Sequence, residues 1–215
     1  MAALMEKGDM TTLIENTTPK SNFWKTPVLG SFAFWLWRLD AKRKLRRLQK
    51  HLKYLDQHIE IGSGTGSVLS VMRKQNYYVD GLDFADNSFH EDLKPIVYNG
   101  RMMPFAKDVY DTALLLTVLH YTEDPEGILR EAGRIAKRIV VIENVYDRRV
   151  MEWLTKGFCS LMNFEFIGHP HNNRTHAQWI ETFEKMDLKL WHKSTYRVGG
   201  IFKQALYVLK VEETA

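Results

Sequence analysis

Between Ile61 and Ser67 the chain places glycine at every second position, as Gly62, Gly64 and Gly66, with Ser63 and Thr65 between them. That spacing permits a tight turn and lets backbone N–H groups approach a ligand with no Cβ in the way. Ile59-Glu60-Ile61 ahead of the loop reads as a buried strand, and Ser67-Val68-Leu69-Ser70-Val71-Met72 behind it opens a helix. The N-terminus of such a helix favours electron-rich ligand groups. A glycine turn alone is a weak signal, but a second feature accompanies it. Tyr78-Val79-Asp80-Gly81-Leu82 reads as the next strand and ends on Asp83. Nucleoside-binding sheets carry an acid about 20 residues after the loop. One carboxylate can accept from two adjacent hydroxyls, which suits the vicinal diol of a ribose. A helix cap or a solvated loop acid is the plainer role for Asp83. Strand, loop, helix, strand and acid in that order favour the ligand.

Holding a loop and an acid side by side takes two parallel strands whose C-terminal ends share one edge. The flanking pattern predicts them. Strands are expected at His58-Ile61, Tyr78-Leu82, Pro95-Tyr98, Thr112-Val118, Arg138-Glu143, Leu188-Arg197 and Gln204-Val211, and helices at Ser67-Lys74, Glu126-Ala136, Arg148-Leu161 and His176-Met186. This alternation predicts an α/β fold with a mostly parallel sheet covered on both faces. No helix fits between the last two strands, and Val198-Gly199-Gly200 there suggests a hairpin, so the seven-stranded sheet ends antiparallel. Ahead of the sheet, residues 1–20 read as a polar tail and residues 21–30 as an ordered but irregular segment. From about Ser31 a helix is expected. Leu36, Leu39, Leu45, Leu48, Leu52 and Leu55 mark its apolar face, and Lys42, Arg43, Lys44, Arg46, Arg47, Lys50 and Lys53 the other, almost without acidic partners.

A chain of 215 residues with 45% hydrophobic and 26% charged residues has material for one ordinary core. Cys159 stands alone, which excludes an internal disulfide and any cysteine metal cluster. Met1 to Lys20 lacks the pattern of an export signal, and the longest apolar run, Phe32 to Trp37, is too short to span a bilayer. A cytoplasmic location is expected. A net charge of +4 does not argue for nucleic acid.

Dinucleotide sites use G-x-G-x-x-G, whereas Gly66 follows Gly64 by two residues and Glu60 precedes the loop. Glu60-Ile61-Gly62-Ser63-Gly64-Thr65-Gly66 resembles the acidic-x-Gly-x-Gly-x-Gly signature of class I S-adenosylmethionine-dependent methyltransferases. Gly81-Leu82-Asp83 resembles the ribose-binding end of their second strand. Asn99-Gly100-Arg101-Met102-Met103-Pro104-Phe105 with Tyr110-Asp111 is similar to their adenine-side loop. Val118-Leu119-His120-Tyr121 with Asp124-Pro125-x-x-x-Leu129-x-Glu131 is similar to the segment after strand four. The likeness runs from about Ile59 to Asn144. It implies a Rossmann-like three-layer sandwich with an N-terminal helical extension or lid at 21–56, and a methyltransferase domain at 57–215 in which 145–175 covers the substrate. It implies S-adenosyl-L-methionine as cofactor, held by Glu60, Gly62, Ser63, Gly64, Gly66, Asp83, Phe84, Asn99, Gly100, Arg101 and Thr117. Gly62 and Gly64 would line the methionine part, Asp83 the ribose and Thr117 the sulfonium end. Phe84 would stack on adenine. Asn99 stands where relatives often have Asp, and it keeps the carbonyl acceptor.

Methyl transfer is an in-line displacement on an activated carbon, so alignment dominates and no fixed triad is required. Where a general base helps, the candidates are His169 and His171 first, then His120, Tyr121 and Glu143. The alternatives are a solvated loop for the first two, packing for His120 and a polar strand end for Glu143. Glu143-Asn144 is the one trace of a metal-dependent subclass, and no metal is expected. The segment Thr117-Val118-Leu119-His120-Tyr121 lacks the Asn/Asp-Pro-Pro-aromatic motif of base-modifying enzymes, and one cysteine excludes an arsenite acceptor. The expected acceptor is a small molecule, with an apolar or aromatic one suited to the many aromatics outside the cofactor motifs. Core and lid packing is the plainer role for most of those. The basic helix, residues 31–54, reads first as a solvated face. Contact with an anionic membrane, suited to a lipid or quinone acceptor, comes second, and phosphate contact third. The rival classes are a non-catalytic methyltransferase-like scaffold or partner subunit, and a nicotinamide-dependent reductase. The intact glycine loop and ribose acid disfavour the first, and the glycine spacing the second.

Overall fold

The computed structural model describes residues 27–146, 174–199 and 202–211. In chain order these form α1 (Pro27–Leu48), β1 (Gln57–Ile61), α2 (Ser67–Arg73), β2 (Tyr78–Asp83), β3 (Ile96–Val97), β4 (Thr112–Leu116), α3 (Pro125–Ile135), β5 (Arg138–Asn144), α4 (His176–Lys185), β6 (Leu188–Val198) and β7 (Phe202–Val211). The strands make one seven-stranded sheet in the order β3-β2-β1-β4-β5-β7-β6. The first five are parallel, and β7 runs antiparallel to both β5 and β6. The chain leaves β1 toward one side and returns to β4 on the other. The crevice of such a sheet therefore opens at the C-terminal ends of β1 and β4.

Local chemistry accounts for the elements. All five residues of β4 are buried, as expected of a parallel strand covered on both faces. In β6 burial alternates residue by residue, because this edge strand shows one side to water. Asp124 caps α3 by accepting from the Gly127 N–H at 2.8 Å, with Pro125 in the first turn where its missing N–H costs nothing. Thr175 and Gln178 form a reciprocal capping box on α4.

The sheet's two faces carry two cores. On one, Ile59, Leu115, Val141 and Tyr207 pack with Leu129, Ile135, Trp179 and Phe183 from α3 and α4. On the other, Leu114, Leu116, Val140, Ile142, Leu206 and Val208 pack with Val68 and Met72 of α2 and with Phe34, Ala41, Leu45 and Leu48 of α1.

Four expectations need correction. α1 begins at Pro27, so the last part of the segment expected to be irregular is helical. Its buried face is Phe34, Ala41, Leu45 and Leu48. Leu39 lies on the outer side, and Leu55 falls beyond the helix end and is 86% exposed. The helix ends at Leu48 rather than running on to residue 54, and within it only Asp40 pairs with the basic residues, Lys44 at 3.1 Å and Arg43 at 3.6 Å. β4 stops at Leu116 rather than Val118, because Thr117 takes a left-handed backbone (φ 63°). The expected helix Arg148-Leu161 lies outside the described residues, as do His169 and His171.

Candidate functional site

The glycine loop joins β1 to α2 in left-handed conformations, with φ 76° at Gly62, 52° at Gly64 and 76° at Gly66. Two of these glycines are fixed by packing as well. A Cβ on Gly62 would lie 2.2 Å from Val118 Cγ2, and one on Gly66 2.7 Å from Leu93 Cβ. At Gly64 no heavy atom lies within 4 Å of that position, so the middle of the loop faces open space. The Gly62 N–H donates to the Leu82 carbonyl at 2.8 Å, which pins the loop to the end of β2.

That pinning brings the second acid in. Asp83, 5% exposed, accepts from the Gly64 N–H at 2.7 Å and from the Phe84 N–H at 2.8 Å. Burial pushes its carboxyl upward in pKa, and the backbone donors of Gly64, Phe84 and Ala85 pull it back. With three backbone donors on its two oxygens, the carboxylate keeps a lone pair for a further donor. Glu60, at the fourth position of β1, is buried, and that burial raises its pKa to about 8; nearby Lys44 opposes the rise and Asp83 adds to it. Glu60 Oε2 and the Ser63 hydroxyl are buried with no hydrogen-bond partner. A buried oxygen left unmatched costs about 1–3 kcal/mol, which a donor of a bound molecule would recover. A nucleoside that carries a free amino-acid chain could be held by this set, its ammonium at Glu60, its diol at Asp83 and its chain along Gly64.

Thr117 follows β4 with its N–H donating to the Ile142 carbonyl at 2.6 Å. A β-branched residue with positive φ is strained, a feature that concentrates at functional sites. Its hydroxyl accepts from Lys44 Nζ at 2.9 Å. The chain spacing of that pair, 73 residues, gave no sequence signal. Lys44 was visible only as one cation among many.

The residues expected at the adenine sit on the rim. Phe84 is exposed, and Asn99, Gly100 and Arg101 form a turn in which the Asn99 side-chain oxygen accepts from the Arg101 and Met102 N–H groups at 3.0 and 3.2 Å. Among the base candidates, Glu143 and His120 come together. Glu143 accepts from the Leu119 N–H at 2.7 Å with one oxygen and lies 2.6 Å from His120 Nδ1 with the other. Glu143 is fully buried and His120 is 3% exposed, so the pair ties the turn after β4 to β5 from inside the protein. Tyr121 is half-buried with its ring 4.0 Å from that of His120. Among the described residues no three His, Cys, Asp or Glu side chains gather as metal ligands, and no helix is long and apolar enough to cross a membrane.

Comparison with known proteins follows the same lines. The family model of the methyltransferase domain matches residues 34–193. An uncharacterized protein of Methanocaldococcus jannaschii, MJ1123, is 28% identical over 97 residues, which are 45% of this chain and 47% of that relative; the match thus spans about half of the relative's length. An S-adenosylmethionine-dependent methyltransferase of Methanosarcina mazei superimposes with a TM-score of 0.63 at 13% identity, over 77% of this chain and 97% of that one. The methyltransferase proposed for Haloferax volcanii, solved in complex with the Trm112 methyltransferase activator, gives 0.60 at 19% identity, over 85% and 97%. Geranyl diphosphate C-methyltransferase of Streptomyces coelicolor, solved with S-adenosyl-L-homocysteine, gives 0.60 at 15%, over 80% and 79%. These structures share the fold, and the family model covers well over half of the sequence. The chain belongs to the methyltransferase-domain family, with the Rossmann-like fold of its class I S-adenosylmethionine-dependent members.

Proposed function

We propose that the chain binds S-adenosylmethionine between the glycine loop and Asp83 and methylates a small-molecule acceptor. One observation carries this reading: two buried polar groups without partners, Glu60 Oε2 and the Ser63 hydroxyl, flank a loop whose Gly64 is tied to Asp83. Bound S-adenosylmethionine supplies a methyl group on a sulfonium, which a nucleophile of the acceptor displaces in line. The residues' task is to hold and exclude. Asp83 accepts from the ribose hydroxyls and Glu60 from the methionine ammonium. Phe84 covers the adenine face, with Asn99, Gly100 and Arg101 beside it. Thr117 sets the floor near the reacting carbon. Proximity of this kind can supply about 7–11 kcal/mol of a barrier. The buried His120–Glu143 pair acts as a strut for the turn after β4. Tyr121, His169 and His171 stay the candidates for proton transfer. Titration with S-adenosylhomocysteine against NAD tests the reading. Micromolar binding of the first and none of the second supports it, and a folded protein that binds neither refutes it.

A second reading, peripheral contact with an anionic membrane, has its own support. The outer side of α1 shows Phe32, Trp35 and Leu39 exposed, with the rings of Phe32 and Trp35 5.9 Å apart, followed by exposed Lys42 and Arg46. An apolar aromatic end continued by cations suits an interfacial helix. Flotation with phosphatidylglycerol vesicles, lost in Phe32→Ser/Trp35→Ser, supports it. Equal flotation with neutral vesicles refutes it.

A further inference from the structure

Trp37, Asp40, Lys44 and Arg47 recur at three- and four-residue steps and so share one row of α1. Two contacts place that row along the C-terminal edge of the sheet. Lys44 Nζ reaches Thr117 at the end of β4, at 2.9 Å. The Arg47 guanidinium lies over the Tyr196 ring, 3.6 Å from its centre. Tyr196 is in register with Gln204, and Gln204 with Asn144 at the end of β5. The Gln204 amide donates to the Asn144 side-chain oxygen at 3.1 Å, both residues being buried. The row therefore overhangs the ends of β4, β5, β7 and β6, beyond the glycine loop and on the side where an acceptor must meet a methyl group held near Thr117.

The polarity of this wall is one-sided. Arg43, Lys44 and Arg47 face it from α1, against Asp40 on the same helix and Glu60 from β1. Asp40 is engaged by both Lys44 and Arg43. Glu60 is matched by the methionine ammonium once the cofactor is bound, on the methyltransferase reading. Arg47 stacks on the Tyr196 ring and has no ion pair among the described residues, and its Nε and the Tyr196 hydroxyl are buried with no hydrogen-bond partner. Leaving a buried donor and a phenol without hydrogen bonds is costly. Both regain partners if an oxyanion enters.

We propose that this row is an anion site for the acceptor: the molecule methylated carries a carboxylate or phosphate received by Arg47 beside the Tyr196 hydroxyl, with Lys44 adding positive charge to the wall on the Thr117 side. The proposal rests on the methyltransferase reading. It commits the acceptor to an acidic small molecule, whatever apolar part accompanies the charge. Guanidinium and ammonium together suit such a group, since charge-assisted hydrogen bonds are the strong ones.

The probes are sodium phosphate and sodium acetate at constant ionic strength, added to protein saturated with S-adenosylhomocysteine. That ligand's own carboxylate is then already placed. Expected is millimolar stabilisation of the complex, read as a rise in Tm. It should weaken at least tenfold in Arg47→Met and in Lys44→Met and return in Arg47→Lys and Lys44→Arg. Lys42→Met, on the outer side of α1, should respond like wild type. S-adenosylhomocysteine affinity in Arg47→Met should stay within threefold of wild type. The proposal is overturned if neither anion acts on the wild-type complex, or if Lys42→Met loses the response equally. It is also overturned if Lys44→Met loses S-adenosylhomocysteine tenfold while its anion response persists, because the lysine then serves the cofactor's carboxylate. A folded wild type that binds no S-adenosylhomocysteine would remove the methyltransferase reading itself, and this proposal with it.

Discussion

Glu60 makes ligand binding a proton-linked event whose proton release fades above pH 8. In the free protein its carboxyl titrates at about 8, raised by burial. At pH 7 such a group is about nine-tenths protonated. An ammonium placed against Oε2 favours the carboxylate, so the pKa falls and the proton leaves. Binding of S-adenosylhomocysteine at pH 7 should therefore release about 0.9 proton, following from that pKa. The ligand's own α-amino group belongs to a free amino acid and stays an ammonium well above the range of about 7.7–8.0 of a peptide N-terminus, so it takes up no proton in this window. Affinity should rise about tenfold per pH unit from pH 6 toward 7.5 and level off above 8, since each proton forced off shifts the constant by its own mass action. Calorimetric titration in buffers of different ionisation heat measures the count directly at pH 6.5, 7, 8 and 9. Glu60→Gln should abolish the release below pH 8. Heats independent of buffer at pH 7, or an affinity flat between pH 6 and 8, would refute the reasoning.

The same group makes the free protein less stable as pH rises. Its folded pKa lies above the ordinary 4.5, so between 4.5 and 8 the unfolded state holds fewer protons and stability falls through that window. At about 1.4 kcal/mol per pH unit the ceiling is about 5 kcal/mol. Glu60→Gln should raise the Tm of the ligand-free protein by several degrees at pH 9 and leave it unchanged at pH 4, as thermal scans would show. Gly62→Ala should cost roughly 2–4 kcal/mol, from the left-handed backbone and the contact with Val118, and lower Tm accordingly. Gly64→Ala meets no protein atom and is strained only by the left-handed backbone, about 1–2 kcal/mol, so its Tm should fall less than in Gly62→Ala while S-adenosylhomocysteine affinity drops at least tenfold. Equal losses of Tm in the two would contradict the assignment of the loop's middle to the ligand. Glu143→Ala strips the acceptor from the Leu119 N–H and from His120, and should cost about 3–5 kcal/mol in denaturant unfolding. A cost under about 1 kcal/mol would show that the pair is no strut.

What was legible in the sequence was local. The Gly62–Gly66 turn, the acid closing β2, and the strand–helix alternation with its final hairpin are written within a few residues each; the strand order, with β7 between β5 and β6, depends on pairings between distant segments. A leucine pattern alone describes the packed face of α1 incompletely. The helix ends at Leu48, so Leu55 lies off its axis, and Phe34 and Ala41 pack beside Leu45 and Leu48. Lys44 beside Thr117, Arg47 on Tyr196 and Glu143 on His120 are contacts between distant positions, and composition carries no trace of them. Asn99 was expected to offer its carbonyl to adenine. That oxygen accepts two N–H groups of its own turn, a local hydrogen bond asparagine commonly makes.

The central claim, that the glycine loop and Asp83 hold S-adenosylmethionine, is tested most directly by calorimetric titration of wild type and Asp83→Ala with S-adenosylmethionine, using NAD as the control. Predicted are micromolar binding to wild type, a loss of about thirtyfold or more in Asp83→Ala from the lost charge-assisted hydrogen bonds, and no heat with NAD. An Asp83→Ala protein that binds as tightly as wild type, or a folded wild type that binds no S-adenosylmethionine, would contradict it.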